Sequence, residues 1–346
     1  MQIIQIVKRF GLVGGMEEYV FRLSAELVKF NYQVIILCEQ SYSLPVSGVK
    51  VVELGECAKP RWMAHYEFSR KVSRWISENP CDDCIIHSHE RQSVHHVTTF
   101  HTTPFNMGKF GVLRFLSFRN FFYEKLEERE LFSDKVKAIV PVSNLLGEMI
   151  KRKHPKSASL HKNAIHPGVF IKKEYSESKK HVDLDGGTLG FIGKEWKRKG
   201  LPKVIEIWRE LKRTRPKLKL HIAGVSLGTI AHLLDPGDTD IEVLGLIKDK
   251  ESFYQSIDLL IHPAKREAYG MVISEALSMG VPVLCSSECG AAECIGSGNG
   301  LSLPSDEKLC SWVGNAEKII SANYSINYEM SWEQVASQYH QIYRDL

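Results

Sequence analysis

The stretch Asp258–Ser286, DLLIHPAKREAYGMVISEALSMGVPVLCS, decides the fold. It opens on an apolar run, DLLIHPA, and turns through KREAYG. It resumes as YGMVISEALSMG, with Gly280 at its end, and closes on VPVLCS. A short apolar run bounded by turn residues reads as a buried strand. A longer apolar-rich segment stopped by glycine reads as a helix. Strand, helix and strand in that order make a βαβ unit, whose two strands are parallel.

The same alternation extends outward in both directions. Upstream, GTLGFIG is a strand and LPKVIEIWRELKRTRP a helix with Pro202 near its start, where its missing N–H costs nothing. LKLHIAG and IEVLG are further strands, and KESFYQSI is a short helix. Downstream, SWEQVASQYHQIYRDL is an amphipathic helix with Ser331 as N-cap and Glu333 near its positive end. The first half repeats the pattern: QIIQIV, QVIILC, KVVEL, CIIHSHE, HHVTTFHTT and AIVPVS are strands. Between them GGMEEYVFRLSAELVKF places Val20, Leu23, Leu27 and Val28 at helical spacing, and HYEFSRKVSRWISEN is a second helix. A chain of 346 residues suits two domains better than one core. The expected fold class is α/β, with two doubly wound parallel sheets facing across a cleft. The domains are residues 1–168, taking back helix 331–346, and residues 169–330. The turn-rich, charged stretch NAIHPGVFIKKEYSESKKHVDLDGG joins them.

Composition is that of a soluble globular chain, 43% hydrophobic and 25% charged. No stretch approaches the ~18 apolar residues of a membrane span. The start, MQIIQIVKRF, lacks the apolar core of a secretory signal, so the expected location is the cytoplasm. The eight cysteines hold one C-x-x-C, Cys81 and Cys84, and no second C-x-x-C. They read as thiols of a reducing compartment. The net charge of +4 is uneven: residues 1–168 carry 23 Lys+Arg against 17 Asp+Glu, the remainder 22 against 24. The first half thus suits an anionic partner.

In doubly wound sheets, ligands bind at the carboxyl ends of strands. Glu267 lies at the exit of DLLIHPA and Glu275 one to two turns into the following helix. With the first-turn amides between them, the two carboxylates suit hydroxyls on either side of a phosphate, or else are solvated charges favoured near a helix N-terminus. In GFIGKEWKRKGLP the strand ends in Gly193, and Lys194, Lys197, Arg198 and Lys199 precede Gly200. Such a loop suits a departing diphosphate, or is a solvated basic turn. In FGLVGGMEEY, Gly14 and Gly15 open the first helix, but the spacing is not G-x-G-x-x-G and gives little support to a dinucleotide enzyme. His87 and His89 share one face of an extended segment, where zinc with a third residue is the weaker reading, and His101 follows the strand VTTF, an exit suited to contact with a substrate hydroxyl or a sugar. FNMGKFGVLRFLSFRNFFYEKL interleaves seven aromatic residues with Lys109, Arg114, Arg119 and Lys125. It reads as an anionic-membrane contact or as a core-facing helix with a basic outer face, and no nucleic-acid motif accompanies it.

Together these segments resemble the retaining glycosyltransferases of family 4, of GT-B fold. EAYGMVISEALSMGVPV resembles the family's E-x7-E segment, and GKEWKRKG its G-R-x4-K-G loop, with Lys194 where arginine is usual. GGMEEYVFRLSAEL, HSHE, TFHTT and the closing helix are similar to further family segments in the same order. The resemblance implies a sugar transferase with no metal or other cofactor, using a nucleotide-diphosphate sugar, UDP rather than GDP. Glu275 would hold the ribose. Glu267 and the loop through Ala268, Tyr269, Gly270, Met271 and Val272 would hold the transferred sugar. Lys199 and Lys194, beside Gly193, would neutralise the diphosphate, and Gly14 and Gly15 would let it approach. His101 would lie by the reacting centre, making His101, Lys199 and Glu267 the catalytic set. Lysine at Lys194 keeps the charge and loses the planar fork.

Within the family the chain looks most like the lipopolysaccharide-core branch. That implies a membrane-linked glycolipid acceptor and a peripheral position on the inner face of the cytoplasmic membrane, with Lys109, Arg114 and Arg119 as contacts. The branch tends to carry aspartate where His101 stands, a setting more like the mannosyltransferases. Alternatives are a transferase of a soluble acceptor, a nucleotide-sugar epimerase, or a binding protein that kept the fold without the chemistry.

Overall fold

The computed structural model describes residues 1–44, 46–57, 61–105, 118–169 and 182–346. The chain divides into two compact units, Met1–Gly168 with Ser331–Leu346, and Val169–Met330. The elements through residue 168 are β1 (Gln2–Ile6), β2 (Arg9–Phe10), α1 (Gly15–Lys29), β3 (Gln33–Cys38), β4 (Gln40–Ser41), β5 (Val49–Glu53), α2 (Arg61–Glu78), β6 (Cys84–Ser88), β7 (Val97–Phe100), α3 (Phe118–Phe132), β8 (Ala138–Pro141) and α4 (Asn144–Lys153). After them come β9 (Thr188–Ile192), α5 (Leu201–Lys212), β10 (Lys219–Ala223), α6 (Leu227–Ile230), β11 (Ile241–Gly245), α7 (Lys250–Gln255), β12 (Leu259–His262), α8 (Met271–Ser278), β13 (Val283–Ser286), β14 (Gly300–Leu303), α9 (Leu309–Ser321) and α10 (Trp332–Arg344).

The first unit holds a sheet in the order β5-β3-β1-β6-β7-β8, and the second a sheet in the order β11-β10-β9-β12-β13-β14. Every pair in both is parallel. Setting aside the short β2–β4 ladder, the two orders are the same. The order in which strands are added reverses once per sheet, between β1 and β6 and between β9 and β12, the place where sheets of this kind bind ligands.

The cores follow from the strand pattern. Ile4 and Ile6 of β1 and Leu37 of β3 pack on Phe68 and Val72 of α2. In the second unit Phe191, Ile222 and Ile261 pack with Trp208 of α5 and Trp312 of α9. Each such side chain contributes roughly 1.5–3 kcal/mol when fully buried. Gly190 in β9 is required by space, because a Cβ there would lie 2.4 Å from Ile257.

Helix α10 belongs to the first unit. Its start is a capping box: Ser331 Oγ accepts from the Gln334 amide at 3.1 Å, and Gln334 Oε1 accepts from the Ser331 amide at 2.8 Å. The helix docks on α1, with Trp332 edge-on to Tyr19 at 5.3 Å. Gly168 makes this approach possible, since a Cβ there would lie 2.7 Å from the Trp332 ring. Six elements have no counterpart in the sequence reading: β2, β4, α4, α6, β14 and α9.

Candidate functional site

In the second unit, the loops that leave β9 and β12 are locked together. Gly200 has φ +84°, and a Cβ there would meet the Pro263 carbonyl oxygen at 2.5 Å, so the β9 loop lies directly on the β12 loop. The Lys265 amide donates to the Arg198 carbonyl at 3.1 Å across the same seam. Gly193 is equally constrained: its own Cβ would meet the Lys199 stem at 2.4 Å, and a Cβ on Gly224 would strike its backbone at 2.8 Å. The glycine therefore opens the path along which Lys199 crosses.

Lys199 crosses to Glu267. Its ammonium lies 3.6 Å from Oε2, and Arg198 Nη1 donates to the same oxygen at 2.9 Å. The Glu267 backbone is pinned, its amide donating to the Glu288 carbonyl at 3.0 Å and its carbonyl accepting from the Gly290 amide at 3.1 Å. Burial opposes the Arg198 charge, but the Glu267 and Glu195 carboxylates outweigh it and hold the guanidinium above its ordinary pKa. Arg198 thus joins Lys199 at the glutamate, and Lys194 stands exposed at the mouth of the loop. Behind them His262 is buried with neither ring nitrogen partnered among the described residues. Burial first, then the charges of Lys199 and Arg198, pushes its pKa far down, so it is a neutral wall.

Ala268, Tyr269 and Gly270 continue the loop. The Tyr269 hydroxyl lies 3.3 Å from that of Tyr328 and 3.6 Å from Cys294 Sγ. Gly270 caps α8 with φ +95°, a conformation that favours glycine, and leaves the amides of Met271 and Val272 at the helix start. One turn on, Glu275 is held at both oxygens. Lys250 Nζ donates to Oε1 and the Tyr254 hydroxyl to Oε2, each at 2.6 Å. These partners come from α7 and set the carboxylate's direction. The sequence reading named Arg198 only as one of four loop cations, and it missed Lys250 and Tyr254; a cation or hydroxyl on an adjoining element is the signal that would find them.

In the first unit, the other candidates gather beyond the ends of β1, β6 and β7. Gly14 is the N-cap of α1 in extended backbone, and a Cβ on it would meet the Glu17 carboxylate at 2.4 Å. Glu17 in turn accepts from Arg9 Nε at 2.9 Å. Gly15 begins the helix and Tyr19 follows one turn later. Tyr19 stands edge-on to the His101 ring at 4.9 Å, so His101 lies beneath the first turns of α1. His101 Nε2 is bonded to His89 Nδ1 at 2.9 Å. Burial lowers the His101 pKa to about 3, and burial with neighbouring imidazoles holds His89 well below its ordinary value. Both rings are neutral near pH 7.

A second relay lies behind them. Tyr19 donates to Tyr339 at 2.9 Å, Tyr339 meets Thr99 at 2.6 Å, Thr99 meets His87 Nε2 at 2.7 Å, and His87 Nδ1 meets Tyr343 at 2.6 Å. Each hydroxyl has one proton, so the direction set by Tyr19 passes along the chain and leaves the His87 proton on Nδ1. Both His87 nitrogens are engaged, which removes it as a metal ligand. Among the described residues no group of His, Cys, Asp or Glu is arranged to hold a metal, and no helix is long and apolar enough to cross a membrane. Lys109, Arg114 and the Arg119 side chain lie outside the described residues.

Comparison with known proteins fits this geometry. Residues 13–169 match the model of "Glycosyltransferase Family 4", and residues 173–323 that of "Glycosyl transferases group 1". The capsular polysaccharide biosynthesis glycosyltransferase CapM of Staphylococcus aureus is 25% identical over 47% of this chain and 48% of its own. The lipopolysaccharide glucosyltransferase WaaG of Escherichia coli K12 is 28% identical over 38% of this chain and 39% of its own. The chain therefore spans less than half the length of the curated relatives it matches. A crystal structure of WaaG superposes with TM-score 0.78 and 18% identity, covering 98% of this chain and 95% of that one. Anabaena HepE, solved with UDP-glucose, gives 0.67 and 15%, with 100% of both chains covered. The paired parallel sheets are those of the GT-B fold, and the chain belongs to the family 4 glycosyltransferases.

Proposed function

We propose that the protein transfers a sugar, with anomeric configuration retained, from a nucleotide-diphosphate sugar to a hydroxyl of a membrane-associated glycolipid of the lipopolysaccharide-core type. The observation that carries this reading is the cationic pair Arg198 and Lys199 converging on Glu267 at the strand-order reversal of the second unit. In this reading Glu275, fixed by Lys250 and Tyr254, holds the ribose hydroxyls. The amides at the start of α8 and the Lys199 ammonium hold the diphosphate. Glu267, with Ala268, Tyr269 and Gly270, orients the sugar. Gly193 keeps backbone bulk away from the phosphates, and exposed Lys194 adds long-range attraction.

The reaction breaks the bond from the anomeric carbon to the diphosphate oxygen and forms one to the acceptor oxygen. The acceptor proton passes to the departing diphosphate on the same face. Negative charge grows on that leaving group, where fixed cations act without reorganising. The first unit supplies the acceptor side, with Gly14 and Gly15 at an anion-attracting helix start and His101 as a neutral contact to the sugar. A UDP-sugar is favoured over a GDP-sugar, in keeping with the ligand in HepE. Likeness to WaaG favours the lipopolysaccharide-core acceptor. The basic balance of residues 1–168 and the aromatic–basic stretch 105–126 favour an anionic membrane surface, with the protein peripheral to the inner face of the cytoplasmic membrane.

The test is incubation with UDP-glucose, UDP-galactose and GDP-mannose, each with a truncated lipid-linked core acceptor, followed by NMR of the new linkage. The reading expects a product whose anomeric configuration is the donor's, from a UDP-sugar. Inversion, or transfer only to soluble acceptors, overturns it. Replacing Arg114 and Arg119 by Glu is expected to reduce sedimentation with anionic vesicles, and unchanged sedimentation contradicts membrane contact there.

A further inference from the structure

The imidazoles of His89 and His101 share one hydrogen bond, 2.9 Å from Nδ1 to Nε2. Both rings are neutral, so each carries one N–H and only one of them donates. If His101 donates from Nε2, then His89 accepts on Nδ1 and must carry its own proton on Nε2. That nitrogen is buried and has no partner among the described residues. If His89 donates from Nδ1, its Nε2 is a bare lone pair instead. An orphaned buried N–H is the rarer fault, and an under-used acceptor is tolerated more readily. The hydrogen-bond network therefore assigns the shared proton to His89 Nδ1. His101 accepts on Nε2 and carries its proton on Nδ1, the ring's other polar atom.

The surroundings lock this arrangement. His89 lies between His87, at 4.3 Å between ring centres, and His101, at 5.2 Å. Tyr19 braces both His89 and His101 with its ring, at 5.9 and 4.9 Å. Turning His89 over would break its one hydrogen bond, and His101 has no second protein partner among the described residues to hold the other tautomer.

We propose that His89 is a positioning residue that fixes His101 as the Nδ1–H tautomer, so that His101 presents an uncharged hydrogen-bond donor to an oxygen of the transferred sugar. The sugar contact rests on the reading of the site given above; the tautomer does not. A donor of fixed direction aligns the sugar before the glycosidic bond breaks, and misalignment of reacting groups is costly. The other tautomer would turn a lone pair toward the same oxygen.

The experiment is nitrogen NMR of the intact protein with labelled histidine, His101 being assigned by its loss in His101→Gln. The expected spectrum shows His101 protonated on Nδ1 and unprotonated on Nε2. His89→Leu is expected to abolish that preference and to lower kcat about tenfold, the worth of one hydrogen bond, leaving the Kd for UDP unchanged. His89→Asn, whose amide nitrogen stands near the place of Nδ1, is expected to restore both tautomer and turnover. A wild-type spectrum showing Nε2–H overturns the assignment, and it decides the matter even if His89→Leu does not fold. Equal turnover by wild type and His101→Gln, with the Nδ1–H spectrum intact, overturns the sugar contact and the reading it rests on.

Discussion

The ammonium of Lys199 lies 3.6 Å from Oε2 of Glu267, a residue of another loop, with Arg198 on the same oxygen at 2.9 Å. Arg198 is shared with Glu195, so the two cations meet two carboxylates and the cluster is balanced. A bound diphosphate would compete with Glu267 for Lys199, the cation that has no other carboxylate on this loop.

Lys199→Ala is therefore expected to lower kcat by about a hundredfold, the scale of losing one fixed electrostatic donor, while affinity for uridine stays within about twofold. Steady-state kinetics beside calorimetry with uridine checks this. Equal losses in turnover and in nucleoside affinity would show that Lys199 holds the ground state only.

Arg198→Lys is expected to resemble Arg198→Ala in turnover. The guanidinium divides its donors among Glu267, Glu195 and the Arg266 carbonyl, and an ammonium cannot reproduce that planar fork. Recovery of wild-type kcat by lysine would reduce the role to bare charge.

The Glu275 carboxylate is aimed by Lys250 and Tyr254. Tyr254→Phe keeps the carboxylate but loosens its direction, so UDP affinity is expected to fall a few-fold, against about tenfold for Glu275→Ala, since hydrogen bonds to charged groups carry about 1.5–3 kcal/mol. Calorimetric Kd values in the reverse order would dissociate α7 from the site.

Stability against pH has a clear sign. Burial raises Glu130 to about 8 and Glu90 to about 7, above the ordinary 4.5. Between 4.5 and these values the folded chain binds more protons than the unfolded one, so their contribution is lost as pH rises toward 8. The buried histidines act oppositely: with His101 lowered to about 3, stability is lost as pH falls below about 6.5. From about pH 7.5 to 8.5 the histidines are neutral both folded and unfolded, and of these groups only the acids still act. The melting temperature is expected to decline across that window, and Glu130→Gln, which still accepts from Thr98, is expected to flatten the decline. An unchanged slope in the variant would remove Glu130 as its source.

Tyr339 joins Tyr19 to Thr99 in the relay that seats α10. Tyr339→Phe leaves those buried hydroxyls short of a partner and is expected to cost about 1–3 kcal/mol in denaturant unfolding. A loss well under 1 kcal/mol would mean that packing alone holds the helix.

Much of this was legible in the sequence, and the limits are physical. Strand–helix alternation, Pro202 at the start of α5, and Ser331 as a cap are local signals, and they read correctly. The glycines at 193 and 200 could be seen as loop punctuation. That Gly200 exists to let one loop rest on Pro263 could not, because the contact joins distant segments. Arg198 read as one cation among four; only folding shows which of them reaches Glu267. Tyr343 and His87 meet across nearly the whole first unit, and no periodicity announces that. The small β2–β4 ladder, two residues a side, is too short to carry a period-2 signature.

The central claim is that the second unit binds a pyrophosphate-bridged donor through Glu275 and Lys199. Its most direct test is thermal denaturation of the wild type, Glu275→Ala and Lys199→Ala with a panel of nucleotide-sugars, since a ligand that binds only the folded chain raises the Tm. The account predicts that UDP-sugars raise the wild-type Tm, that uridine alone raises it less, and that each substitution removes most of the UDP-sugar shift. No shift with any nucleotide-sugar, or an undiminished shift in both variants, would contradict it.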